Sequence, residues 1–262
     1  MANFTLDDSA WILGTIDGTE EKLLRKPVLD AFNSQILGLG DLRSRSVPVP
    51  ALAAVFDLEG FTTFCTQIEP HLSVPAYLGK FIPWLLARIK KETIQGEAPE
   101  GVHLWHPLPF FTKFMGDGLI VLWETQSMGP TELENLIVSL HTICTQYERD
   151  LYAELKSIVV DPPKKLRCGV ARGTVFSVGD QADYVGSCIN MAARIQKLPG
   201  VQFTFNRRGF DLEHEGVNDY IKKRFVIKKV SVRGIGDGEL LGILASDLQA
   251  MPPDDQILYQ EP

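Results

Sequence analysis

Positive charge is in short supply in this sequence: 26 Lys and Arg stand against 33 Asp and Glu, a formal net charge of −7. A nucleic-acid surface needs a dense Lys/Arg field to displace counterions, so a nucleic-acid partner is excluded. A nucleotide ligand is not, because bound metal ions neutralise a triphosphate locally. Cysteine is scarce as well. Cys65, Cys144, Cys168 and Cys188 stand far apart, which removes any metal knuckle or paired redox motif, and reduced thiols are expected. His71, His103, His106, His141 and His214 show no metal-ligand spacing and read as structural or surface residues. The longest apolar runs, such as Ala51–Phe56 and Ile82–Ala87, stop far short of the roughly 20 residues a membrane span requires. The start, MANFTLDDSAW, has no basic flank ahead of an apolar stretch; the expectation is a cytoplasmic protein without a membrane partner. Internal repeats and low-complexity tracts are absent too.

What is present is ordinary globular composition. The chain has 262 residues, 45% hydrophobic and 23% charged, enough for one large domain with an appendage. Residues 1–46 predict an N-terminal helical arm and linker, with Leu23, Leu24, Val28, Phe32, Ile36 and Leu37 at helical spacing and Pro27 near the helix start. Residues 47–247 predict the main domain, and 248–262 a loose C-terminal tail.

Within that domain LAAVFDL reads as a buried strand ending at Asp57, followed by a strand-to-helix turn at Glu59-Gly60-Phe61-Thr62. A helix is expected from Ser73, carrying Val74, Tyr77, Leu78, Phe81, Leu85 and Ile89 on one face and bent at Pro83. Two apolar runs separated by Gly116-Asp117-Gly118 predict a hairpin. A second amphipathic helix runs from Leu133 to Leu151. A strand pair is expected at Leu166–Ala171 and Thr174–Val178, turning at Arg172-Gly173, and a third helix at Ser187–Leu198. Strand-like segments follow at Phe203–Phe205, Arg224–Val232 and Leu240–Leu244. The order βαββαβ, with an extra C-terminal helix and strands, predicts an α+β fold with a ferredoxin-like core.

Two aspartates stand out in that frame. Asp57 closes a hydrophobic strand and Asp117 sits in the tip of the hairpin expected beside it. Either alone reads as a turn or cap residue. Together they supply two hard oxygen ligands of the kind that divalent ions holding a triphosphate require. Asn190 and Arg194, at i and i+4, share one helix face. Such a pair is often a solvated polar stripe, yet Arg can stabilise charge on a transferring phosphoryl group while Asn orients a hydroxyl.

The segments AVFDLEGFTTF, KFMGDGLIVLW and DYVGSCINMAARIQ resemble, in order and spacing, the three signature blocks of class III nucleotidyl cyclases. The resemblance runs from Pro48 to Ala245, and its third block, G-x-x-x-N-x-A-A-R, is the most specific. It implies a phosphorus–oxygen lyase that converts a nucleoside triphosphate to the 3′,5′-cyclic monophosphate and pyrophosphate. It implies Asp57 and Asp117, with the Leu58 carbonyl, as ligands of two Mg²⁺ or Mn²⁺ ions per site. Backbone amides around Gly60, Phe61 and Thr62 would hold phosphate oxygens. Asn190 would position the ribose and Arg194 would stabilise the pentavalent α-phosphoryl transition state. Lys113 and Asp183 match the base-reading pair, and Arg233 matches a late basic residue that binds the terminal phosphates. The family shares each site between two chains, so a homodimer with shared active sites is implied.

A Lys donor with an Asp acceptor fits adenine, uracil and cytosine alike, so polar pairing leaves the base open. Phe56, Phe61, Phe114 and Tyr184 offer bulk that would narrow a pocket to one ring, or are core residues. The chain shows no sensor or membrane segment beside the cyclase-like region, and Gly186-Ser-Cys replaces the commoner Gly-Asn/Asp-Thr. In both respects it is similar to the stand-alone bacterial pyrimidine cyclases of antiphage defence, which implies cyclic UMP or cyclic CMP as product, with uridylate cyclase favoured, and a separate cyclic-nucleotide effector downstream. A non-catalytic nucleotide-binding module of the same fold is the rival of another class; such modules usually lose one of the four residues Asp57, Asp117, Asn190 and Arg194. A diguanylate cyclase lacks support because its Gly-Gly-Asp/Glu-Glu-Phe turn is absent, and Gly234-Ile-Gly236-Asp-Gly238 has the wrong spacing for a dinucleotide fold.

Overall fold

A computed structural model describes residues 6–180, 182–212 and 218–262. His214 lies outside them. The chain forms two compact units, one built from the segment up to Pro48 with Phe176–Val185, the other from Val49–Val175 with Gly186–Pro262.

In chain order, a hairpin of β1 (Trp11–Ile16) and β2 (Thr19–Leu24) leads to a short helix, α1 (Lys26–Asp30). Next come β3 (Pro48–Glu59), α2 (Phe61–Phe64), the long α3 (Pro70–Thr93), and a small hairpin of β4 (Ile94–Ala98) and β5 (Gly101–Leu104). A further hairpin joins β6 (Phe111–Phe114) to β7 (Gly118–Glu124). Then α4 (Pro130–Gln146) continues through a π turn, Tyr147–Leu151, into α5 (Tyr152–Leu155), followed by β8 (Lys165–Val178), β9 (Asp183–Val185) and α6 (Ser187–Ile195). The remaining elements are β10 (Phe203–Asn206), α7 (Asp219–Arg224), β11 (Phe225–Val232), β12 (Gly236–Leu244), α8 (Ala245–Ala250) and α9 (Pro253–Gln256).

The larger unit is built on one sheet, in the order β11-β12-β10-β8-β3-β7-β6. Its central strand, β3, is buried from Ala51 to Leu58, which is why that segment reads as a continuous apolar run. Alternation along β3 sends Leu52, Ala54, Phe56 and Leu58 into one core with Tyr77, Phe81, Leu85 and Ile89 of α3 and Leu136 and Leu140 of α4. Ala53, Val55 and Asp57 therefore point to the opposite face. There α6 lies against β8: a Cβ at Gly169 would sit 2.2 Å from the Ala192 carbonyl, and one at Gly173 would sit 3.1 Å from Cys188 Cβ. The α+β order expected from sequence is the order observed.

Several local expectations are corrected. The N-terminal segment is a hairpin, not an amphipathic helix. Asp17 and Gly18 both take positive φ (49° and 81°), the two-residue turn that matches strand twist, and Trp11 pairs with Leu24. Only Lys26–Asp30 is α-helical, with Pro27 in its first turn. In this smaller unit the segment before β3 is tied to the end of β8 by Ser46 Oγ donating to Ser177 O and Val47 N donating to Ser177 Oγ, both 2.8 Å. Helix α3 begins at Pro70 rather than Ser73, whose hydroxyl bonds back to Glu69 O. Arg172-Gly173 is no turn: β8 runs unbroken through it, the glycine serving the close approach of α6. The C-terminal tail is not loose either. Tyr259 is buried and donates to Pro199 O at 2.7 Å, and Gln260 pairs with Lys229.

Candidate active site

Asp57 sits on the sheet face opposite the α3/α4 core and is 5% exposed. The β3–β7 register sets Gly118 directly across from it, and Leu58 N donates to Asp117 O at 3.0 Å. The hairpin is held this tightly because residue 118 has no side chain: a Cβ there would lie 1.8 Å from the Phe56 carbonyl oxygen. The register thus brings together two aspartates sixty positions apart in sequence.

Their carboxylates have different partners. Arg167, from β8, donates to Asp57 Oδ2 through Nη2 at 2.5 Å and Nε at 3.2 Å. Both bonds fall on the same oxygen, so Oδ1 is left without a protein partner among the described residues. The Asp117 carboxylate, half-buried, likewise accepts no hydrogen bond there. Carboxylate oxygens left unclaimed on residues of neighbouring strands suit divalent cations, which take hard oxygen donors. Arg167 places one positive charge against Asp57. Among the described residues no group of three or more His, Cys, Asp and Glu side chains converges, so remaining ligands would come from backbone, water or substrate.

Gly60, at φ 85°, precedes α2. The first helical hydrogen bond there is Phe64 N to Gly60 O at 3.0 Å, so the amides of Phe61, Thr62 and Thr63 come before any intrahelical acceptor. The Phe61 ring is buried beside Phe64 and Tyr77. It and Phe56 belong to the core; neither narrows a pocket. Lys113 stands in β6 opposite Ile120, and Phe114 beside it is exposed. In the smaller unit Asp183 opens β9, where its Oδ1 accepts from Tyr184 N at 2.9 Å.

Asn190 and Arg194 project from α6 into a cavity of about 290 Å³ that also touches Gly234 and Ile235. The exposed Arg233 is thus one residue from its wall. Neither Asp57 nor Asp117 lines this cavity, nor does any other carboxylate among the described residues. Burial pushes the Cys188 thiol at its edge above the usual cysteine range, which disfavours the thiolate a nucleophile needs.

Arg167, Arg172 and Arg208 escaped the sequence reading. Arg167 stands between buried Leu166 and Cys168 in β8, a local sign of a charge in a strand but not of its partner.

No protein-family model and no curated protein sequence matches this chain. Solved structures do. The adenylyl cyclase CyaB from P. aeruginosa superposes with a TM-score of 0.55 at 13% identity, over 77% of this chain and 96% of that one. The guanylyl cyclase Cya2 gives 0.54 at 18% identity, over 76% and 93%. The guanylate cyclase domain of RhGC from Catenaria anguillulae, in complex with GTP, gives 0.50 at 15% identity, over 76% and 98%. Among the described residues no helix is long and apolar enough to cross a membrane. The fold of this chain is that of a class III nucleotidyl cyclase catalytic domain.

Proposed function

We propose that this chain is a nucleotidyl cyclase that converts UTP to 3′,5′-cyclic UMP and pyrophosphate, working as a homodimer whose sites combine residues of both copies, as a cytoplasmic signal generator in antiphage defence read by a separate effector. The observation that carries the catalytic reading is the β3–β7 register, which pairs Asp57 with Gly118, the residue after Asp117, in a chain of cyclase fold. Asp57, Asp117 and the Leu58 carbonyl would hold two Mg²⁺ or Mn²⁺ ions, which when bound supply charge neutralisation at the triphosphate.

The chain's own residues do the rest. Asn190 orients the ribose so that the 3′-oxygen stands in line with the departing pyrophosphate. The 3′-oxygen bonds to the α-phosphorus, the bond from that phosphorus to the β-phosphate oxygen breaks, and the 3′-hydroxyl proton passes to solvent. Arg194 stabilises the charge on the α-phosphoryl oxygens as this happens. Amides of Phe61 and Thr62 after Gly60, together with Arg233, bind the phosphate chain. No side-chain nucleophile is called for, in keeping with the raised Cys188 thiol. Lys113 and Asp183 read the base, pairing with a uracil carbonyl and N3–H. The separation of the two half-sites supports the homodimer: neither Asp57 nor Asp117 lines the cavity holding Asn190 and Arg194.

The test is incubation of purified protein with Mn²⁺ and each of ATP, GTP, CTP and UTP, with products identified by chromatography and mass. Cyclic UMP formed by the wild type and absent with Asp117→Ala supports the reading. Cyclic CMP or a cyclic purine replaces the substrate and, for a purine, the biology. Turnover unchanged in Asp117→Ala sinks the two-metal assignment.

A further inference from the structure

In a chain of net charge −7, one cavity is lined by three arginines, Arg172, Arg194 and Arg208, and among the described residues by no acidic side chain. Their charges are not equally compensated. Arg172 reaches the cavity from the middle of β8 and among the described residues is held by neutral acceptors: Gly209 O at 2.9 Å, Thr125 Oγ1 at 3.2 Å and Thr125 O at 3.4 Å. Arg194 forms no ion pair or side-chain hydrogen bond among the described residues, and the loop after β11 passes so close that a Cβ at Gly234 would lie 2.4 Å from its Nη1. Arg208, at the mouth, meets Glu239 at 3.3 Å. That carboxylate is also engaged by Asn206 Nδ2 at 3.0 Å, while Asn206 Oδ1 accepts from Arg208 N at 2.7 Å. One guanidinium is thus fixed by backbone, one is free, and one is steered by an Asn–Glu bracket.

Three guanidinium forks answered, among the described residues, by a single carboxylate, Glu239, are suited to receive an anion with several oxygens. Size suits a small anion: about 290 Å³ lies at the bottom of the roughly 300–1,000 Å³ range of ligand pockets. We propose that this cavity is a diphosphate site, in which Arg172 and Arg208 join Arg194 in holding inorganic pyrophosphate without any metal ion. Assigning that diphosphate to the leaving group of the reaction rests on the cyclase reading; the binding itself does not. On that reading Arg172 and Arg208 grip the β- and γ-phosphates and delay product release.

The experiment is calorimetric titration of the full-length protein with sodium pyrophosphate in excess chelator, for the wild type, Arg208→Gln and Arg172→Gln, with orthophosphate as comparison. The expected result is saturable pyrophosphate binding by the wild type, weakened about tenfold or more by each substitution, as for loss of one charge-assisted hydrogen bond. Arg208 is exposed and its replacement leaves the fold intact, so it decides the matter even if Arg172→Gln unfolds. Absent binding, equal binding by wild type and Arg208→Gln, or orthophosphate bound as tightly as pyrophosphate would overturn the proposal. Pyrophosphate binding by a wild type that forms no cyclic product would retain the site and defeat the cyclase reading, so the two fail separately.

Discussion

Replacing Arg167 with Gln is the sharpest way to probe the corner where the two aspartates meet. In the folded chain the Asp57 side chain is 8% exposed and that of Arg167 22% exposed, with two bonds converging on Asp57 Oδ2. Breaking a fully buried pair by removing one partner costs about 3–5 kcal/mol, whereas an exposed pair is worth less than about 1 kcal/mol. This pair lies between those limits, and about 2 kcal/mol is the working value for stranding Asp57. A domain of this size loses roughly 2–4 °C of thermal midpoint per kcal/mol, so Arg167→Gln should melt roughly 4–8 °C below the wild type in chelator.

Manganese makes the experiment discriminating. If Asp57 is a cation ligand, saturating Mn²⁺ replaces the missing guanidinium and stabilises the variant by mass action. It helps the wild type less, because there the ion must share a carboxylate already engaged by Arg167. The gap between the two midpoints should shrink by about half or more on adding Mn²⁺, read by scanning calorimetry. Equal midpoints in chelator would refute the ion-pair reasoning. A gap that Mn²⁺ leaves unchanged would refute Asp57 as a metal ligand.

Asp117→Ala and Asn190→Ala should each be inactive alone, and equal mixing should restore about a quarter of wild-type turnover, since half the dimers are mixed and each holds one intact site; no recovery after subunit exchange would place both residue sets in one copy. The Tyr147 hydroxyl donates to Pro163 O at 2.6 Å and meets Tyr77 Oη at 2.7 Å. Tyr147→Phe therefore orphans two buried groups and should cost about 2 kcal/mol in urea unfolding, against about 1 kcal/mol for Tyr77→Phe; a reversed order would contradict the donor assignment. Burial, helped by Arg224, lowers the His141 pKa to about 4. Between about 4 and the unfolded value near 6.5 the unfolded chain binds the extra proton, so stability rises with pH across that window. It is fully present above the window and is lost as pH falls through it. The contribution is at most about 3 kcal/mol, His106, also lowered by burial, adds in the same direction, and His141→Gln should flatten the slope between pH 7 and 5. An unchanged slope would mean that His141 does not carry it.

How far the sequence could be read depended on whether each signal was local. Asp57 was legible because a carboxylate ends an apolar run, and Asp117 because Asp-Gly between apolar runs makes a hairpin. The same dipeptide at Asp17-Gly18 went unread because its flanks, Thr19-Glu20-Glu21-Lys22 above all, are polar and exposed; apolar residues straddling a strand end and α1 then imitated helical spacing. Arg172-Gly173 imitated a turn because a glycine needed for helix approach looks the same in one dimension as a glycine needed for φ. Arg167 was illegible as a site residue, since its meaning depends on β8 lying next to β3. The tail was misjudged for the same reason: Pro252-Pro253 is a strong local breaker, while the Tyr259 anchor is a carbonyl sixty positions away. Phe56 and Phe61 look the same in sequence whether they wall a pocket or fill a core; alternation in β3 and ring contacts with Phe64 and Tyr77 put them in the core.

If the chain works as the proposed homodimer, the distribution of charge gives a reason for the second copy. The aspartates occupy the end of β3 and the β6–β7 tip, with Arg167 balancing one of two negative charges. Among the described residues the cavity by α6 has no carboxylate in its lining, and Glu239 alone answers one of its arginines. Each cluster is therefore incomplete in the sense opposite to the other. Two copies related by a twofold axis present the same surface to each other, so a contact made once is made twice. Acidic corner against cationic cavity, repeated by symmetry, would complete both at once, and a triphosphate with its cations would be the species that balances the sum. A module kept only to bind a nucleotide would need the cavity but not the stranded carboxylates. That Asp117 keeps a half-buried carboxylate without a hydrogen-bond partner among the described residues, next to the residue that pairs with Asp57, is what favours chemistry over binding alone.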